Sequence, residues 1–161
     1  MQPSSPMSAS IAAFILNPII MSTASSWFVA QFIKSMVVLF SESRKSFREV
    51  LLALIWRTGG MPSSHSAVVI SMTTAVAFNE GVGSNLFAVS LFVAMVVLRD
   101  AMGVRRATGL QGMALNLLGK QIAEKQGVEF HPVKEIQGHT PLEVIIGGIL
   151  GFCISAIFAW L

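Results

Sequence analysis

The sequence predicts an all-α integral membrane protein: one helical bundle of about four spans, with a short re-entrant or interfacial N-terminal helix and an amphipathic surface helix. Three observations carry this expectation. Hydrophobic residues fill 53% of the 161 positions and charged residues only 12%, a usage far from that of soluble domains. Mean hydropathy is +0.70. The apolar residues fall in long runs between short polar stretches, so their surface is buried in lipid and between helices. The net charge of +3 is spread over loops without a basic stripe, which suits anionic headgroups and argues against a nucleic-acid partner.

Taken in order, residues Gln2 to Ile33 carry no charge, and Asn17-Pro18 interrupts them. Proline removes a helix hydrogen bond and disfavours helix at the residue before it. At about 1.5 Å per residue, Ser10 to Phe40 would run roughly 46 Å, too long for one crossing and too short for two. A short helix over about 8–16 and a first span over about 22–40 resolve this. No Lys or Arg precedes Lys34, so the first apolar segment lacks the charged start of a secretory signal and is expected to be mature structure. Lys34 falls in the last turns of the span with Gln31 one turn before it, and both can face the bundle interior; the simpler reading of Lys34 is a snorkelling anchor.

Residues 41–57 alternate charges with the apolar stretch Val50 to Trp56, as in a loop with an interfacial helix. The second span covers about 64–79 and ends at Glu80-Gly81-Val82-Gly83. The third covers about 85–104, with Ser84 as its N-cap. Beyond Gly109, the positions Leu110, Met113, Leu117, Leu118 and Ile122 keep a helical apolar stripe opposite Lys120 and Glu124, predicting a surface helix over about 110–126 with Gly127 as C-cap. The last span covers about 141–161, and its Gly147, Gly151 and Ser155 make a small-residue stripe for close helix contact. The loops 41–57 and 99–140 hold ten of the eleven Lys and Arg, so they are expected on the cytoplasmic face. His65, Arg105, Arg106, Lys134 and His139 then share one side of the bilayer.

The stretch Gly59-Gly60-Met61-Pro62-Ser63-Ser64-His65-Ser66 has the build of an anion site. Glycines free the backbone, a proline presets a first helical turn, and hydroxyls and an imidazole stand at a helix N-terminus, where unpaired N–H groups favour an anion. The plainer reading is a turn before a membrane helix with a serine N-cap. Two histidines and several cations on one face are what phosphoryl transfer without metal requires: cations hold the oxygens, one imidazole attacks and the other protonates the departing oxygen.

The blocks Gly-Gly-Met-Pro-Ser-Ser-His-Ser-Ala at 59–67, Asp-Ala-Met-Gly-Val-Arg-Arg at 100–106 and Gly-His-Thr-Pro-Leu-Glu-Val at 138–144 resemble the divergent branch of the type 2 phosphatidic acid phosphatase superfamily, related to acid phosphatases and vanadium-dependent haloperoxidases. Ala-Gln-Phe-Ile-Lys at 30–34 and Leu115-Asn116 fit the same branch. The resemblance implies phosphate binding at Gly60, Ser63 and Ser64, a general acid at His65, a nucleophile at His139 that forms a phosphohistidine, and Glu143 as the carboxylate orienting it. Glu143 has a second reading within Thr140-Pro141-Leu142-Glu143, a capping box in which it bonds the Thr140 backbone. The superfamily's Lys-x6-Arg-Pro block is absent, since Ser41 stands seven residues after Lys34, and Val133 occupies the position of an expected arginine before His139. Lys34, Arg105, Arg106 and Lys134 are therefore phosphate-binding candidates by charge and location, with Asp100 as a structural or orienting partner of one arginine.

The expected function is a metal-independent phosphatase acting on a lipid-linked phosphate, with no cofactor, no metal ligand set and no nucleic-acid partner; membrane lipids and a phosphorylated lipid are the expected partners. The alternative is a non-catalytic membrane scaffold or carrier that binds phospholipid headgroups through the same pocket. Cys153, the lone cysteine, is read as packing.

Overall fold

The computed structural model describes residues 6–41, 60–135 and 138–161. Every regular element among them is helical: α1 (Pro6–Ile15), α2 (Pro18–Ser41), α3 (Ser64–Glu80), α4 (Asn85–Arg99), a π-helical turn (Asp100–Val104), α5 (Arg105–Gln126) and α6 (Pro141–Trp160). The loop and interfacial helix expected over 41–57 lie outside the described residues, apart from Ser41, which closes α2.

The core is built the opposite way from that of a soluble protein. Its fully buried side chains are hydroxyls, Ser22, Ser26, Ser35, Ser63, Ser66, Ser71 and Ser155, together with alanines such as Ala30, Ala67 and Ala94, while Phe28, Phe32, Phe92, Val96, Ile149 and Phe152 face outward. Water would not tolerate that exposure, but hydrocarbon is as apolar as the side chains, so helices associate through small residues and hydroxyl hydrogen bonds. Ser71 and Ser155 illustrate this: their hydroxyls lie 2.7 Å apart, and Ser155 Oγ also reaches Ser71 O at 2.7 Å. Two stretches, Asn85–Gln126 and Pro141–Trp160, are long and apolar enough to cross a bilayer, with mean hydropathies of 1.9 and 2.2, and only 17% and 22% of their most apolar windows is buried within the protein. A soluble core helix would be covered. The molecule is a helical membrane bundle.

Helix α3 is the hub, packing against α2, α4 and α6, while α2 also meets α6. The contact of α3 with α6 is backbone-close. A Cβ at Gly147 would run into the carbonyl of Ser63, and one at Gly151 into that of Ala67, so the small-residue stripe seats α6 directly on the first turns of α3.

Two boundaries and the place of Pro62 differ from the sequence expectation. Helix α2 begins at Pro18 rather than near residue 22, because Pro18 takes the first helical position and Asn17 Oδ1 accepts the Ile19 amide at 2.9 Å, turning the expected breaker into a start signal. Helix α3 begins at Ser64 with Ser63 as its N-cap, so Pro62 stands before the helix rather than inside its first turn. The third span and the surface helix form one continuous helical path of 42 residues, because Gly109 does not break it. At about 1.5 Å per residue that path runs roughly 63 Å against a hydrocarbon thickness of about 30 Å, so its polar half, α5, extends beyond the hydrocarbon. The segment 128–135 returns along α5, where Asn116 clasps it: Asn116 Nδ2 donates to Val133 O at 2.9 Å and Asn116 Oδ1 accepts from Val133 N at 2.8 Å.

Candidate functional site

The three sequence blocks meet at one end of the bundle, and backbone hydrogen bonds join them. The His139 amide donates to Ala101 O at 3.1 Å, and the Ser63 amide donates to Glu143 O at 3.0 Å. The π-helical turn makes the first bond possible. Arg105 N–H bonds the carbonyl five residues back, at Asp100, instead of the one four back, so the Ala101 carbonyl is left to receive His139. The same five-residue pitch sets Asp100 under Arg105, whose Nε lies 2.6 Å from Asp100 Oδ2. Gly138 passes so close to Arg106 that a Cβ there would overlap the Arg106 backbone.

His139 is 3% exposed, and its Nδ1 lies 2.9 Å from Glu143 Oε2. A carboxylate only accepts, so Nδ1 carries a proton, and in the neutral ring the lone pair is then on Nε2. The same carboxylate oxygen accepts the Thr140 amide at 3.2 Å, while Thr140 Oγ1 accepts the Glu143 amide at 3.4 Å with Pro141 at the first helical position. The hydrogen bonds that both readings of Glu143 require are present: the capping box holds the carboxylate, and the same carboxylate oxygen meets the imidazole. Nitrogen NMR is expected to find His139 as the Nδ1-protonated tautomer. In Glu143→Gln, which still supports a capping box, it should find a mixture of tautomers; an unchanged tautomer would show that Glu143 does not set it.

His65 stands across from it, the two ring centroids 5.9 Å apart with planes inclined at 57°. Among the described residues, the ionisable groups that act electrostatically on His65 are Arg105, His139, Lys34 and Asp100. Lys34 is 4% exposed, a buried ammonium inside a membrane helix, and it donates to Ser64 Oγ at 3.2 Å. The amides of Ser64 and His65, in the first turn of α3, have no carbonyl four residues back within the helix, so they point out of its N-terminus as donors. His65 Nδ1, Ser66 Oγ and Gln31 Oε1 are buried without a hydrogen-bond partner. Gly60, at φ 83, takes a positive-φ conformation that favours glycine.

Other sequence candidates stand differently. Ser63 is fully buried; its amide is taken by Glu143, and its hydroxyl accepts the Ser66 amide at 3.3 Å, so it is the joint between α3 and α6 rather than an open phosphate donor. Arg106 lines a crevice of about 300 Å3 with Gly60, Glu135, Gly138 and Glu143. Lys134 is exposed on the segment clasped by Asn116. Neither Arg106 nor Lys134 is among the charges acting on His65. Among the described residues, no group of three or more His, Cys, Asp or Glu has the arrangement of a metal site. Two features had no signal strong enough to be read from sequence: the Ala101 carbonyl, freed by the π-helical turn around Gly103, and the buried Ser66 hydroxyl, which looked like one more serine of the block.

Fold and site together define a helical membrane protein that holds a histidine–carboxylate pair, a second histidine and a buried lysine where its helix ends converge. Comparison with known proteins places this class: the chain belongs to the Divergent PAP2 family, whose model matches residues 15–154. It is similar to the uncharacterized membrane protein YuiD of Bacillus subtilis (strain 168), with 38% identity over 126 residues, covering 70% of this chain and 78% of the relative. No solved structure matches it.

Proposed function

We propose that the protein is a metal-independent phosphatase acting on a lipid-linked phosphate. The observation that carries this reading is the His139–Glu143 pair, with the His65 ring 5.9 Å from that of His139 and the buried Lys34 beside them. His139 Nε2 attacks phosphorus while the ester P–O bond breaks, and His65 gives its proton to the departing oxygen. The neutral His65 then takes a proton from water as its oxygen attacks the phosphohistidine, and the N–P bond breaks to release inorganic phosphate. Glu143 holds His139 in the attacking tautomer and offsets the charge that develops on it. Lys34, Arg105 and the α3 N-terminus bind the phosphoryl oxygens.

In this reading α2, α3, α4 and α6 are the four spans, and the site opens at the cytoplasmic face, where the basic loops lie. In a Cys153→Ala background, a membrane-impermeant thiol reagent should label Val82→Cys from outside and Glu129→Cys only from the cytoplasmic side. The reverse pattern inverts the topology.

The test of the activity is phosphate release from a panel of lipid phosphates by purified protein. Release should persist in chelator, because the protein's own cations neutralise the phosphate, and vanadate should block it by occupying the site as a five-coordinate phosphoryl mimic. Strict dependence on added magnesium or zinc overturns the mechanism.

A further inference from the structure

Between α2 and α3 lies a groove of about 430 Å3, lined by Ile19, Ile20, Thr23, Trp27, Val68 and Met72. Its register connects it to the site. At 3.6 residues per turn, Trp27 and Thr23 fall within about 20° of Lys34 around α2, roughly 10 and 16 Å along the axis from it. On α3, which runs the opposite way from the site, Met72 falls within about 20° of His65 and roughly 10 Å along. The groove is thus the continuation of the two helix faces that carry Lys34 and His65.

The chemistry along α2 changes in the order in which a lipid phosphate is built. Lys34 is a cation beside Ser64. One turn below, Gln31 Oε1 is buried without a partner, a polar position between the cation and the apolar lining. From Trp27 onward the lining is apolar apart from Thr23, whose Oγ1 is also buried without a partner. With the phosphate at headgroup level, the groove falls roughly 10 to 20 Å deeper, within a hydrocarbon core about 30 Å thick.

We propose that this groove seats the hydrocarbon tail of the lipid whose phosphate occupies the His65–His139 site. The proposal rests on that site receiving a lipid phosphate, whether or not it is hydrolysed. It makes the recognised ligand a phosphate on a hydrocarbon anchor, held at both ends, and the groove the determinant of chain preference.

Two measurements test it. The first uses phosphatidic acid bearing a diazirine in its acyl chain, in phosphatidylcholine vesicles containing the wild-type protein. Crosslinks should concentrate on residues 19–27 and 68–72, and should be competed by unlabelled phosphatidic acid but not by added phosphatidylcholine. Labelling spread equally over outward positions such as Phe92 and Phe152, or competed equally by phosphatidylcholine, shows ordinary boundary lipid and overturns the proposal. The second compares Ala24→Trp, which fills the groove, with the wild type. KM for a long-chain lipid phosphate should rise about tenfold, while turnover of a short, water-soluble phosphate monoester stays unchanged. Equal effects on both substrates overturn it. If no phosphate is released from any substrate, the phosphatase reading fails, and the crosslinking alone decides the groove.

Discussion

On the proposed mechanism, His139→Ala is expected to abolish phosphate release while lipid-phosphate binding stays close to wild type. In that mechanism His139 is the group that bonds to phosphorus, so its removal should lower kcat by about 10³-fold or more, towards the level that positioning and charge alone sustain. Lys34 and the α3 N-terminus remain to hold the anion, so equilibrium binding should barely change. His65→Ala should behave differently: a general acid contributes typically about 10² to 10⁴-fold, and the loss should be greatest for a lipid alkoxide and smallest for an aryl phosphate whose leaving oxygen needs no proton. Single-turnover phosphate release and equilibrium binding on the wild type and both variants separate the cases. Wild-type turnover in His139→Ala removes the nucleophile assignment. Intact binding with no turnover in any of the three, wild type included, assigns the protein to headgroup binding without catalysis.

Gly147→Ala is expected to destabilise the protein and disturb the site, whereas Gly148→Ala one residue on should do neither. A Cβ at Gly147 meets the backbone of Ser63, which has no rotamer by which to yield, while one at Gly148 meets only Ile70 Cγ1 at 3.6 Å, an ordinary contact. Overpacking typically costs about 1 to 3 kcal/mol, and α6 must move off α3 to relieve it. The Ser63–Glu143 backbone bond stretches with that movement, separating His65 on α3 from His139 at the start of α6. A displacement of about 1 Å in a catalytic geometry can lose roughly 10²-fold in rate. At Gly148, alanine gains up to about 1 kcal/mol of helix propensity. Thermal unfolding in detergent with phosphate release on both variants reads the contrast. Equal stability of the two would mean that α3 and α6 are not packed backbone to backbone.

The membrane character, the helical class and the order of the helices were legible in the chain, because lipid as solvent leaves a composition signal that no packing detail can hide. Helix ends were less legible where one residue type supports two outcomes. Asn17-Pro18 reads as a break or as a cap with a first-turn proline, and only the path of α2 decides between them. Residues 105–109 read as a gap between the third span and the surface helix, yet they lie inside the continuous helix of α4, the π-helical turn and α5.

The sequence by itself determined which candidate groups the chain offers: two histidines, a carboxylate four residues after one of them, a lysine inside an apolar run and a serine–histidine helix start. Each is a local fact about residue type and spacing. What only the tertiary structure decided is which of these meet and in what state. Glu143 serves the capping box and His139 together, because one carboxylate oxygen reaches both the Thr140 amide and the imidazole. Ser63 is withdrawn from the site because α6 takes its amide, and Lys34 is brought to Ser64 across 30 residues of chain, while Arg106 and Lys134, equal to Arg105 in charge, are not among the cations acting on His65. Charge and spacing are written along the chain, but the distance between two groups is set by how closely helices pack, and here that is fixed by glycines at Gly138, Gly147 and Gly151 and by a one-residue change of pitch at Asp100–Val104.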